Sequence, residues 1–111
     1  MPARKARFLT AARDDVVGLP TLNLRRRALR IVADLMSGAS LGRPLEDRPM
    51  GDLSDCFKVY FDDREGRPRY RLVYRMVDDA IVVVTVVAVI AVGARDNLAV
   101  YREALRRLGR D

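Results

Sequence analysis

The chain has 111 residues, enough for one domain around one core, and half of them are hydrophobic, so a folded globular protein is expected over residues 1–111 rather than a disordered one. Lys and Arg number 21 against 15 Asp and Glu, a net charge of +6 that points to a polyanion as partner. A single cysteine and no histidine exclude an internal disulfide, a Cys/His zinc cluster, and the Ser-His-Asp and Cys-His catalytic schemes.

Arg4 to Leu9 reads as a short first strand. Thr10 is placed to cap a helix in which Asp14 and Asp15 sit near the start, where the macrodipole favours them, and in which Ala12, Val16 and Leu19 recur at helical spacing. After Pro20, Thr21 can cap a second helix to about Met36, with an apolar stripe of Leu24, Ala28, Ile31, Val32 and Leu35 and a natural stop at Gly38. Arg26 and Arg30 fall on its outer side, flanked by Arg25 and Arg27, a face suited to solvent or to an acidic partner. The two helices should form a helical hairpin. Residues 39–53 carry Gly42, Pro44, Pro49 and Gly51 without periodicity and read as a loop.

The pattern then switches to period two. Phe57, Val59 and Phe61 alternate with Lys58 and Tyr60, and beyond the polar turn from Asp62 to Pro68, Tyr70, Leu72, Tyr74 and Met76 alternate with Arg69, Arg71, Val73 and Arg75. Asp78 and Asp79 make the next turn. Ala80 to Val92 has no polar face, so it should be an interior strand covered on both sides, with a bulge or bend because it is long. It is also too short for a membrane helix, which needs about 20 residues. Beyond Gly93, Asp96 or Asn97 can cap a last helix with Leu98, Tyr101, Leu105 and Leu108 on one stripe. This order predicts an α+β fold: an N-terminal helical hairpin packed on a small antiparallel sheet, a β-meander, followed by a C-terminal helix. No signal peptide is visible at the N-terminus, and a cytoplasmic protein without membrane contact is expected.

In hairpin register, Lys58, Tyr60, Arg69, Arg71 and Arg75 share the sheet face away from the helices, with Arg95 leaving the end of the long strand beside them. Nearly all the positive charge is arginine, since Lys5 and Lys58 are the only lysines, and guanidinium groups pair bidentately with phosphate. Cations interleaved with tyrosine suit RNA, whose phosphates meet the guanidiniums while a base stacks on a ring. RNA also carries its own nucleophile, the 2′-hydroxyl, so cleavage needs orientation, charge neutralisation and proton transfer but no metal or other cofactor. Lys58 is the candidate base, because neighbouring cations favour its neutral amine, while Arg71 and Arg95 can hold the phosphate and Tyr101 can orient a nucleotide. The plain alternative is that a sheet face turned to water carries charge anyway, and that Tyr101 is a core residue of its helix. Cys56 lacks a histidine partner and reads as a half-buried free thiol. The pairs Asp14/Asp15, Asp62/Asp63 and Asp78/Asp79 read as turn and helix-start residues, not metal ligands.

The segments Cys56-Phe57-Lys58-Val59, Tyr70-Arg71-Leu72-Val73-Tyr74, Val92-Gly93-Ala94-Arg95 and Val100-Tyr101-Arg102-Glu103-Ala104, preceded by Leu41-Gly42-Arg43-Pro44-Leu45 and Gly51-Asp52-Leu53, resemble in order and spacing the RelE toxins of bacterial type II toxin–antitoxin systems. The resemblance implies an mRNA interferase that cuts mRNA in the A site of the 70S ribosome without metal, with Lys58, Arg71, Arg95 and Tyr101 as nuclease residues; Tyr60, Arg69, Arg75 and Arg43 are further candidate RNA contacts. It also implies a cognate antitoxin that blocks the site, and operator DNA bound only by the toxin–antitoxin complex. The pattern departs at Tyr60, where the family has a second lysine; Arg69 or Arg75 is the expected substitute for the missing basic group. A ParE-like inhibitor of DNA gyrase with the same fold, and a non-catalytic RNA-binding module, are the alternatives.

Overall fold

The computed structural model describes residues 4–39, 42–44, 55–62, 69–88 and 102–109. Strand β1 (Ala6–Phe8) leads directly into helix α1 (Thr10–Val17), and a four-residue link leads into α2 (Leu22–Met36). Strands β2 (Arg43–Pro44), β3 (Cys56–Phe61), β4 (Tyr70–Val77) and β5 (Ala80–Ala88) follow, and residues 102–108 form a last helix, α3. The strands make one five-stranded sheet in the order β1-β5-β4-β3-β2. The α+β class and the central meander β3-β4-β5 are as the sequence predicts. The sheet is mixed, however, because β1 adds parallel to β5, and two residues of the predicted loop pair antiparallel with β3 as β2.

Thr21 caps α2 as expected, its Oγ1 accepting a hydrogen bond from Leu24 N at 3.1 Å. The α2 stripe is buried at Leu24, Ala28, Val32 and Leu35, and Gly38 follows the helix with φ +98°, the left-handed conformation that ends helices on glycine. Thr10 is not a cap. It is the first residue of α1, which follows Leu9 without a side-chain cap, because the chain leaves β1 directly into the helix. Asp15 consequently lies in the second half of α1 rather than at its start.

One sheet face carries the main core. Register pairs Phe57 with Tyr74, Val59 with Leu72 and Phe61 with Tyr70, so these side chains share the face under α1 and α2, with Ile81, Val83 and Val86 from β5. Each large side chain fully buried there contributes roughly 1.5–3 kcal/mol. The opposite face holds a second cluster in which α3 sets Ala104 and Leu105 against Cys56, Val73 and Val84. Cys56 is therefore fully buried rather than half-buried, since α3 lies over it.

The expected irregularity in β5 is a bulge at Val84. Val73 pairs with Thr85 and Tyr74 with Val83, leaving Val84 without an opposite residue. The disturbed backbone is satisfied from outside the ladder: Arg107 Nη1 donates to Val84 O at 2.9 Å, and Asp15 Oδ2 accepts from Val86 N at 3.0 Å and from Thr85 Oγ1 at 3.3 Å. Arg107 binds Asp15 through both terminal nitrogens, at 2.6 and 3.2 Å, and Glu103 through Nε at 2.8 Å. This network joins α1, β5 and α3. Asp78 and Asp79 form a two-residue hairpin turn with φ +48° and +64°, the type I′ pattern whose twist matches the flanking strands. Among the described residues, no helix is long and apolar enough to cross a membrane.

Candidate nucleic-acid interface

Period-two alternation delivers Lys58 and Tyr60 from β3, and Arg71 and Arg75 from β4, to the face opposite α1 and α2. The register brings them into rows. Tyr60 lies directly across from Arg71, and Lys58 sits between Arg43 of β2 and Val73 of β4. Directly opposed residues point the same way, so Arg43, which is exposed, joins this face from the sheet edge. Its strand is held there by Gly42, which lies against Phe57 and Tyr74. A Cβ at Gly42 would stand 2.8 Å from Phe57 Cβ and would clash with the Tyr74 hydroxyl. Burial pushes the Tyr74 phenol above its ordinary pKa, while a backbone hydrogen bond with Gly42 and the charge of Arg4 pull it down.

The cations of this face are not equivalent. Arg69 is bound by Asp62, donating from Nε at 2.8 Å, from Nη2 at 2.9 Å and from its backbone N at 3.0 Å. Arg75 is paired with Asp55 at 3.1 Å. Arg69 and Arg75, either of which is the expected stand-in for the second lysine of the RelE pattern, are thus each paired with a local aspartate. The hairpin geometry that aligns them also brings those carboxylates within reach.

Arg71 is 2% exposed, and its guanidinium lies 4.7 Å from the centre of the Tyr60 ring, donating from Nη2 to Tyr60 Oη at 2.7 Å. Tyr60 itself is 40% exposed. The Lys58 ammonium stands 5.7 Å from the same ring centre, is half-buried, and has no carboxylate partner among the described residues. Lys58, Tyr60 and Arg71 are therefore one cluster, with Arg43 beside it and Arg69 and Arg75 at its ends. Arg95 and Tyr101 lie outside the described residues. The same holds for Leu98 and the cap at Asp96 or Asn97.

Sequence reasoning overlooked Asp15, Arg107 and the depth of Arg71. A faint signal existed for Asp15, because an aspartate in the rear half of a helix opposes the macrodipole and calls for a compensating cation. Nothing in the spacing marks Arg107 as that cation. The burial of Arg71 belongs to the folded sheet, which sets its guanidinium against the Tyr60 ring.

No family model matches this chain, and no curated protein matches its sequence. Solved structures do match. A free-state double mutant of the Escherichia coli toxin RelE shares 24% identity over 96% of this chain and 98% of that one, with a TM-score of 0.61. The isolated E. coli RelE toxin shares 22% identity over 90% of this chain and 98% of that one, with a TM-score of 0.58. The RelBE2 toxin–antitoxin complex of Mycobacterium tuberculosis gives 26% identity over 78% of this chain and 98% of that one, with a TM-score of 0.49. With α1 and α2 on one face of a mixed sheet, and α3 and the basic cluster on the other, the chain has the fold of the RelE toxin.

Proposed function

We propose that this protein is the toxin of a type II toxin–antitoxin pair and a ribosome-dependent mRNA endonuclease. The observation that carries this reading is the cluster of Lys58, Tyr60 and Arg71 on the outer face of a RelE-like sheet, with a lysine lacking a carboxylate partner among the described residues. In-line attack of the 2′-oxygen on phosphorus expels the 5′-oxygen and leaves a 2′,3′-cyclic phosphate. Lys58 in its neutral form accepts the 2′-hydroxyl proton, Arg71 and Arg95 supply positive charge near the phosphate, and Tyr101 orients a flanking nucleotide. Arg43 meets the phosphates on either side. Arg69 and Arg75, already paired, contribute field rather than direct contacts. No metal is needed, because the substrate supplies the nucleophile and the protein the charge.

The partner reading rests on the other face. Val17, Leu22 and Leu29 are large exposed hydrophobics on α1 and α2, beside Arg13, Arg26 and Arg30, and such a surface suits an antitoxin segment mixing apolar and acidic residues. Operator DNA is bound only by that complex.

The test is primer extension on a defined mRNA in a purified translation system, with and without ribosomes. Cuts confined to A-site codons in the ribosome lane are expected. Absence of cuts in both lanes would reject the nuclease and direct attention to gyrase, where loss of supercoiling activity would establish the ParE-like alternative.

A further inference from the structure

In-line cleavage requires a proton for the departing 5′-oxygen as well as a base for the 2′-hydroxyl. The most exposed member of the Lys58, Tyr60 and Arg71 cluster is not a cation but Tyr60. Its oxygen already accepts a hydrogen bond from Arg71, and a guanidinium has donors only, so the phenolic proton is directed away from Arg71. Tyr60 is 40% exposed and Arg71 2%, so an incoming phosphate meets the tyrosine before the guanidinium. Lys58 lies two residues earlier on the same strand face, about 7 Å away along the backbone, a spacing that lets two side chains flank one phosphorus.

We infer that Tyr60 is a catalytic residue, donating its hydroxyl proton to the leaving 5′-oxygen, and that Arg71 is the positioning residue that holds and charges it. The inference rests on the ribonuclease reading above and changes the role of Arg71 within it, from phosphate clamp to support for the acid. The step balances as follows. The 2′-hydroxyl proton passes to the Lys58 amine, the 2′-oxygen bonds to phosphorus, the bond from phosphorus to the 5′-oxygen breaks, and that oxygen takes the Tyr60 proton. The charge then left on Tyr60 Oη sits 2.7 Å from a permanent cation, in a site where such a contact is stronger than in water. Solvent returns the proton to Tyr60 and removes one from Lys58, so each turnover starts from the same state. The tyrosine at the position where the RelE pattern has a second lysine thereby brings an acid to the site.

A sulfur leaving group distinguishes this role from stacking or packing, because a thiolate departs without a proton. Ribosomes would be programmed with mRNA whose scissile linkage carries either the natural 5′-oxygen or a bridging 5′-sulfur, and single-turnover cleavage would be followed for the wild type, Tyr60→Phe and Lys58→Met. The expected result is that Tyr60→Phe slows cleavage of the oxygen linkage about 10²-fold, in line with the usual contribution of a positioned acid, and returns to the wild-type rate on the sulfur linkage. Lys58→Met should stay slow on both, because its proton transfer is not at the leaving group. Recovery on sulfur also shows that the Phe variant is folded and reaches the ribosome. Equal rates for Tyr60→Phe and wild type on oxygen, or an equal deficit on both linkages, would overturn the role of Tyr60 and leave the ribonuclease reading standing. A wild type that cuts neither mRNA would overturn that reading and this inference with it.

Discussion

Two ends of the sheet, the β5 bulge and the β3–β4 pair, are built from the same materials and put to opposite uses. At one end Arg107 gives its donors to Asp15, Glu103 and Val84 O, joining α1, the β5 bulge and α3. At the other end Lys58 and Arg71 surround an exposed tyrosine, and Lys58 has no carboxylate partner among the described residues. An ion pair with its hydrogen bonds met on all sides fixes geometry but has little left to offer a ligand. Lys58, held near a ring, keeps its charge available. Net charge alone does not distinguish the two ends; the positions of the aspartates do.

The comparison can be broken by substitution. Lys58→Met should leave thermal stability unchanged while lowering cleavage about 10²–10⁴-fold in single-turnover assays, equivalent to roughly 3–5 kcal/mol of barrier. A variant with normal activity would remove the lysine from the chemistry. At the other end, Arg107→Ala strands a half-buried carboxylate and the bulge carbonyl and should cost about 3 kcal/mol in urea unfolding, the usual scale for breaking such a pair. A loss below about 1 kcal/mol would mean that the network is incidental.

Gly42→Ala tests the edge of the Lys58 end. Its Cβ meets Phe57 and Tyr74, so about 1–3 kcal/mol of stability should be lost, and displacement of Arg43 should weaken RNA binding. Acid should act on the Arg107 end. The Glu103 carboxyl is held below its ordinary range, chiefly by its hydrogen bond with Arg106 and then by Arg107. A depressed carboxylate stabilises the fold above its unfolded pKa, about 4.3, and that contribution is lost as pH falls through the lower folded value. Hydrogen exchange in α3 should therefore rise below about pH 4, and Glu103→Gln should flatten that rise. Smallest of all, Arg30→Ala removes an exposed i,i+4 pair with Asp34 and should change stability by no more than about 0.5 kcal/mol. A larger change would mean that α2's outer face is more than solvated charge.

Much of the fold was legible in the sequence because its signals are local. The α2 stripe, the Thr21 cap, the Gly38 stop and the alternation in β3 and β4 each need only neighbouring residues and the periods of helix and strand. The irregularity in β5 could be anticipated from the length of an apolar run with no polar face, though its position at Val84 could not. The parallel addition of β1 and the edge strand at Arg43–Pro44 were hidden, since strands of three and two residues carry almost no periodicity and exist because β5 and β3 offer free edges.

For the candidate site, the sequence by itself determined which residues share a face: alternation and hairpin register place Lys58, Tyr60, Arg69, Arg71 and Arg75 on one side whatever the rest of the chain does. Only the tertiary structure decided which of them remain available. Asp62 and Asp55 claim Arg69 and Arg75, and the cross-strand pairing of Tyr60 with Arg71 puts the arginine beneath the tyrosine. Asp15 meets an arginine 92 positions along the chain, a distance over which no spacing rule operates. Periodicity fixes the direction of a side chain, whereas its partner is fixed by the distances that folding closes.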